Sequence, residues 1–313
     1  MNLNYVKKII LIIISIFSIN LINNLNANAF PIYAQQGYEN PREATGRIVC
    51  ANCHLAQKDV SIEVPKSILP NTIFEAKVTI PYNLNNQQIL GTGNKGDLNV
   101  GAIMILPKGF KLAPQNLLPD ELKIKTKNIY IQPYSTSKDN ILVVGPIPGK
   151  NNQEITFPIL SPDPNKDKNV YFLKYPIYIG GNRGRGQIYP TGDKSNNNPI
   201  NASYDGKVIE VIQSSNGSYT VNIQKDNGDT YSENIPKGLE IKVKKGSYIK
   251  ANDNLTTDPN VGGFGQSETE IILQSPNRII GMIIFFITVT IAQIFFVLKK
   301  KQWEKVQSAE VNF

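Results

Sequence analysis

This 313-residue chain has two cysteines and one histidine, and they fall together as Cys50-Ala51-Asn52-Cys53-His54. C-x-x-C-H is the attachment signature of a c-type haem. Two thiols spaced by two residues on one helical turn can each add to a vinyl group of the porphyrin. The next residue then presents an imidazole to the iron. Cys50 and Cys53 are thus candidates for covalent attachment of one haem c, with His54 as an axial ligand. Ala44 to Leu55 holds enough helix formers to predict a helical turn here. Other chemistries fit less well. A dithiol oxidoreductase also uses C-x-x-C, but no strand is evident before the motif. Zinc needs a fourth ligand and a geometry that adjacent Cys and His serve poorly. A plain disulfide is open to an exported chain.

The second axial ligand is not given by the motif. There is no other histidine, and methionine is a common partner in cytochromes. Of three methionines, Met1 precedes an apolar leader, Met282 sits in a long apolar run, and Met104 lies in a strand-like stretch, Ala102 to Leu106. A lysine, or an α-amino group created by cleavage of the leader, would also supply nitrogen. The amine's ordinary pKa of about 7.7–8.0 makes its deprotonation by a metal inexpensive.

Elements at both ends must carry the site to its place. Lys7 and Lys8, the apolar run Ile9 to Ile19 and Ala27-Asn28-Ala29 predict a signal peptide over 1–29, cleaved to leave Phe30 first. Ile279 to Leu298 has no charge and predicts a transmembrane helix over 279–298. Lys299, Lys300 and Lys301 follow at once, so the tail 299–313 stays on the side of synthesis and the body is exported. Residues 30 to 277 hold 26 Lys+Arg against 23 Asp+Glu, a net of +3. So mild a charge argues against nucleic acid as a partner.

Short runs rich in β-branched and aromatic residues make the body mainly β: 129–132, 141–144, 208–212, 219–224, 239–243 and 270–273. Ser214-Ser215-Asn216-Gly217 predicts an Asn-Gly type hairpin. The Asn-rich stretch 194–201 and the segment 258–265 read as boundaries of a small β domain over 198–261. The large haem domain spans 30–197 and is completed by 262–277. Gly91-Thr92-Gly93-Asn94-Lys95-Gly96 spells G-x-G-x-x-G but lacks a following helix, so it reads as a loop. Gly180 to Gly186 lacks interleaved aromatics and reads as a turn. Lys237, Lys242, Lys244, Lys245 and Lys250 crowd the small domain, either as a solvated face or as a patch steering a partner.

Several stretches together resemble the cytochrome f family of oxygenic photosynthesis. They are Phe30 to Val49 leading into the haem motif, Gly181-Asn182-Arg183-Gly184-Arg185-Gly186-Gln187-Ile188-Tyr189-Pro190, Asn260-Val261-Gly262-Gly263-Phe264-Gly265, and the anchor tail from Gln293 to Lys301. The resemblance runs from Phe30 to Phe313. It implies an elongated β-sandwich large domain, an inserted small β domain and one C-terminal transmembrane helix. It implies that the α-amino nitrogen of Phe30 is the second axial ligand, and that Tyr33, Pro146, Tyr189 and Pro190 pack on the haem. Asn182, Gln187 and Asn197 match positions that hold an internal water chain; as bare sequence they are ordinary loop polar residues. The family tie further implies single-pass insertion in the thylakoid membrane with the main domain in the lumen, and plastid encoding. Cytochrome b, other bf-complex subunits, a Rieske iron–sulfur donor and a plastocyanin or small soluble c-type cytochrome acceptor would be the partners. An exported thiol–disulfide oxidoreductase is the alternative.

Overall fold

The computed structural model describes residues 31–311. The signal segment, Phe30 and residues 312–313 lie outside the described residues. Two sheets face each other. The smaller has four strands in the order β1 (Ser61–Glu63), β3 (Ile73–Thr79), β10 (Glu154–Leu160) and β7 (Lys111–Leu112). The larger has six, in the order β2 (Ser67–Ile68), β16 (Gly263–Leu273), β11 (Lys174–Arg183), β6 (Asn99–Ile105), β9 (Lys138–Pro148) and β8 (Ile131–Ser135). All pairings are antiparallel except β2 with β16.

The two sheets differ in sequence pattern for a physical reason. In β3 burial alternates strictly, with Phe74, Ala76 and Val78 inside and Glu75 and Lys77 outside, the period of a strand with one wet face. In β6 and β9 it does not: Val100 to Met104 and Ile141 to Val144 are buried without interruption. One face of these strands meets the core between the sheets, where Met104, Leu142, Ile177 and Phe157 pack. The other meets a second cluster of Ile48, Ile103, Tyr134, Ile141, Val143 and Phe264. The large sheet is thus covered on its outer face by the haem-motif segment. A fully buried aliphatic side chain contributes about 1.5–3 kcal/mol, so both coverings are strongly held.

A separate sheet runs in the order β14 (Thr230–Ile235), β13 (Tyr219–Gln224), β12 (Gly206–Gln213) and β15 (Tyr248–Ile249), over its own core of Val208, Val221, Ile223 and Leu255. Ile89 joins that core from a hairpin of β4 (Gln87–Ile89) and β5 (Lys95–Asp97). The G-x-G-x-x-G spelling straddles this hairpin turn, as a loop. Three local expectations differ in detail. Residues 239–243 form no strand, because only Ile241 pairs, through a lone bridge to Thr256. At the β12–β13 connection only Gly217 has positive φ, 84°. The loop is therefore a longer one ending in a left-handed glycine, not a two-residue type I′ turn. The helical turn expected within 44–55 is a 3-10 turn at Val49–Asn52 and starts only after the tight turn in which the Gly46 N–H donates to the Glu43 carbonyl.

Three α-helices complete the described chain: α1 (Ile32–Gly37), α2 (Asp120–Thr126) and α3 (Pro276–Glu310). Helix α3 starts with proline at its first position, and the Ser275 hydroxyl accepts from the Arg278 N–H. Both are favoured starts. It is the one described helix long and apolar enough to cross a membrane. Thr288 and Thr290 donate to the carbonyls of Ile284 and Phe286, which hides their hydroxyls from lipid.

Candidate functional site

The 3-10 turn at Val49–Asn52 fixes the motif. The backbone N–H groups of Cys53 and His54 both donate to the Cys50 carbonyl, at 3.3 and 3.0 Å. This brings Cys50, Cys53 and His54 onto the wall of one cavity of about 400 Å³. A second clamp comes from residue 187: its N–H donates to the Cys53 carbonyl at 2.7 Å, and its side-chain oxygen accepts from the Leu55 N–H at 2.9 Å.

Facing the motif, the cavity is walled by the outer face of the large sheet, with Gly101 and Ile103 of β6, Val143 and Pro146 of β9, and Gly180 and Asn182 of β11. Gly101 is required there. A methyl group on it would come within 2.7 Å of the Asn182 side-chain oxygen and 3.1 Å of the Val144 carbonyl. Pro31 and Tyr33 close one side and Tyr189 and Pro190 another. The structure thus brings Cys50, Cys53, His54, Tyr33, Pro146, Asn182, Tyr189 and Pro190 together around one space. Gln187 and Asn197 are buried behind the wall. Phe30 is not described, but its neighbour Pro31 lines the cavity.

Met104 does not reach this space. Ile103 points to the cavity, so its strand neighbour points the other way, and Met104 is fully buried in the core between the sheets.

His54 is the most informative residue. It is only 6% exposed. Its Nε2 lies 3.0 Å from the Asn182 side-chain amide, and its Nδ1 is buried with no partner among the described residues. The chemistry asks only that one be held and the other be free for iron. Burial, reinforced by the Arg183 guanidinium, pushes its pKa down to about 4. The ring is thus neutral near pH 7, as a metal ligand must be. The thiols go the other way: burial pushes Cys50 up to about 12 and raises Cys53. The site fits a haem: two half-buried neutral thiols, a neutral imidazole with one orphaned nitrogen, and a mainly apolar cavity beside them.

Several residues at the site were not legible beforehand. The Tyr134 hydroxyl lies 2.5 Å from the Ala34 carbonyl and 2.7 Å from that of Tyr38. It ties α1 to the sheet with Gln35, whose side chain donates back to the Tyr134 carbonyl at 2.7 Å. Arg185 donates to Tyr189 Oη at 3.1 Å and to the Ile89 carbonyl at 2.7 Å. Arg183 is fully buried, and only its Nη2 finds a protein partner, the Asp59 carbonyl. Gln88 Oε1 and Asn197 Oδ1 are buried orphans. No single-sequence pattern marks Gln88 or Tyr134; the two arginines stood in the glycine-rich stretch read only as a turn. The five lysines 237, 242, 244, 245 and 250 are exposed, away from the cavity wall, and in no ion pair among the described residues.

Comparison with known proteins bears directly on this geometry. Residues 30–184 match the family described as apocytochrome F, N-terminal, and residues 196–313 match apocytochrome F, C-terminal. The chain belongs to the cytochrome f family. It is 69% identical to cytochrome f of Gracilaria tenuistipitata var. liui over 308 residues, which is 98% of this chain and 99% of that one. Against cytochrome f of Porphyra purpurea it is 64% identical, covering 96% and 94% of the two chains. Against that of Cyanidium caldarium it is 60% identical, covering 92% and 90%. A member of this family carries one covalently bound haem and works in photosynthetic electron transport. The mainly β body with one apolar C-terminal helix is the fold expected for it, and that helix fits a single-pass membrane anchor.

Proposed function

We propose that this cytochrome f-family chain serves as the haem-c electron-transfer subunit of the quinol-oxidising cytochrome bf complex, alongside cytochrome b and the other subunits. It takes an electron from a Rieske iron–sulfur protein and passes it to plastocyanin or a small soluble c-type cytochrome. Its body stands in the thylakoid lumen on a single anchor, with Lys299 to Lys301 on the opposite, synthetic side, and its gene is a plastid gene. The large haem domain is assigned to 30–197 with 262–277, and the small domain to 198–261.

The observation that carries this reading is the cavity on which Cys50, Cys53 and a half-satisfied His54 converge. A bound haem supplies one-electron redox chemistry. The chain's part is to fix ligands and surroundings. Cys50 and Cys53 anchor the group, and His54 ligates it with its free ring nitrogen. Asn182 holds the ring's other nitrogen. Tyr33, Pro146, Tyr189 and Pro190 pack against it. The α-amino group of Phe30 would supply the iron's other protein ligand: Pro31 lines the cavity, and among the described residues Met104 faces the wrong side of its strand.

Asn182, Gln187 and Asn197 line an internal water chain. Its support is the buried orphan atoms Asn197 Oδ1 and Gln88 Oε1, since buried polar groups without protein partners call for water. The lysines 237, 242, 244, 245 and 250 are exposed and free to steer an acidic acceptor. Two thiols held in the neutral form are poor nucleophiles, which disfavours the dithiol oxidoreductase.

The intact mass of the denatured mature protein tests the reading. Residues 30–313 plus one haem is the expected result. The bare polypeptide mass, from cells able to attach haem c, would overturn it.

A further inference from the structure

The end of the sandwich opposite the haem cavity has a chemistry that the reading above does not use. Strand β11 runs from Lys174 to Asn182 and the cavity wall, about 26 Å at 3.3 Å per residue. At the Lys174 end the chain leaves for the membrane. Strand β16 stops at Leu273 and α3 begins at Pro276. From Leu273 to the first apolar helical residue, Ile279, the chain can span at most about 15 Å, from extended and helical rises. The headgroup layer itself is about 5–8 Å deep, so this end of the sandwich is tethered at the bilayer surface.

Three segments meet there. The Leu273 and Gln274 N–H groups donate to the carbonyls of Leu173 and Ile68, at 3.0 and 2.8 Å. The Ser161 hydroxyl donates to the Leu69 carbonyl at 2.7 Å. A methyl on Gly109 would touch Val170 and Pro162 at 2.9 and 3.1 Å, so 107–111 packs on the 162–170 loop. Large apolar groups are left in the open on this rim: Tyr171 is 62% exposed, Leu173 54% and Leu69 43%. Around them stand Lys66, Lys108, Lys111, Lys166 and Lys168, all exposed and in no ion pair among the described residues. The acids in these segments are Asp163 and Asp167, each of which caps a local turn through Asn165 and Asn169. Lys174 is paired with Glu270.

We propose that this rim is a membrane-docking face. Tyr171, Leu173 and Leu69 enter the interfacial layer, and the five lysines bind anionic lipid headgroups, so that the body is seated on the bilayer and not merely tethered to it. Exposed aromatic and aliphatic groups ringed by lysines have the composition of interfacial binding elements, and clustered lysines near a bilayer select anionic lipid. The proposal rests on α3 being a membrane span.

The test uses the full-length holoprotein in nanodiscs of phosphatidylglycerol or of phosphatidylcholine, followed by amide hydrogen exchange. Protection of the α3 amides reports the anchor independently of the rim. The expected result is severalfold slower exchange across 66–72 and 161–173 in phosphatidylglycerol than in phosphatidylcholine. That difference should vanish in a Tyr171→Ser, Leu173→Ser variant and shrink in a Lys166→Gln, Lys168→Gln variant, with the haem spectrum unchanged in both. With α3 protected, equal exchange in the two lipids would overturn the inference and leave the anchor standing. Protection that appears only in the whole complex would also overturn it, because a partner protein would then be the occupant. Unprotected α3 amides would remove both.

Discussion

The side-chain amide of Asn182 and Nε2 of His54 lie 3.0 Å apart, although 128 residues separate them in sequence. One belongs to a strand of the large sheet and the other to a turn laid over it. Their contact fixes the imidazole against the sheet and leaves its second nitrogen uncommitted. Asn182→Leu is expected to keep covalent haem but to destabilise the protein by about 1 kcal/mol, the usual net worth of such a bond. Guanidinium titration of the holoprotein measures it.

Gly101 protects the same contact by having no side chain. Gly101→Ala would drive a methyl into the Asn182 side-chain oxygen, and overpacking of this kind costs about 1–3 kcal/mol. Because both changes act on one contact, the double variant with Asn182→Leu should be less destabilised than the two single losses added together. Strict additivity would mean that Gly101 is needed for another reason.

The buried ring also makes the haem-free chain sensitive to acid. The folded pKa of His54, about 4, lies below its ordinary value of 6.5. Between these values the unfolded chain binds a proton that the folded one does not. Stability is therefore full above pH 6.5 and falls as pH drops towards 4, by about 3 kcal/mol from a shift of this size. His54→Phe should flatten this slope in the apoprotein. A slope unchanged by the substitution would assign the acid sensitivity to other groups.

Tyr134→Phe removes the hydroxyl that holds α1 through the Ala34 and Tyr38 carbonyls. Loss of that anchor is expected to cost about 1 kcal/mol or somewhat more. It should also loosen the segment that leads to the proposed amine ligand. A rise in carbon monoxide binding to the reduced haem, with thioether attachment intact, is the predicted signature.

Met104→Leu is predicted to leave the low-spin haem spectrum unchanged. The side chain faces the core between the sheets, and a swap of similar volume there costs less than about 1.5 kcal/mol. A high-spin spectrum in this variant would sink amine ligation.

How much could be read in advance follows from how local each feature is. The haem motif spans five contiguous residues and the anchor twenty, so both were legible from the chain alone. Tyr219–Gln224 was legible as a strand because its residue types and one-sided burial agree. The cavity walls were not. Gly101, Tyr134, Gly180 and Phe264 become neighbours only through the register of β6, β8, β11 and β16, and register over such separations is set by packing. Leu239 to Val243 misled because extended coil lying on a core has the same alternation as a strand. Here Leu239 is buried and Ile241 and Val243 pack beside it, yet only one bridge forms.

Every group proposed to attach or ligate the haem lies at or before residue 54, with Pro31 and Tyr33 of the wall beside them, while the rest of the wall comes largely from residues 101–190 and 264. A ribosome therefore releases the attachment segment well before the sheets that make up most of the enclosure exist. The order of synthesis separates attachment from confinement: the cofactor can be joined to an open chain, and the sheets that later fold beneath it decide how tightly it is held and how it is tuned.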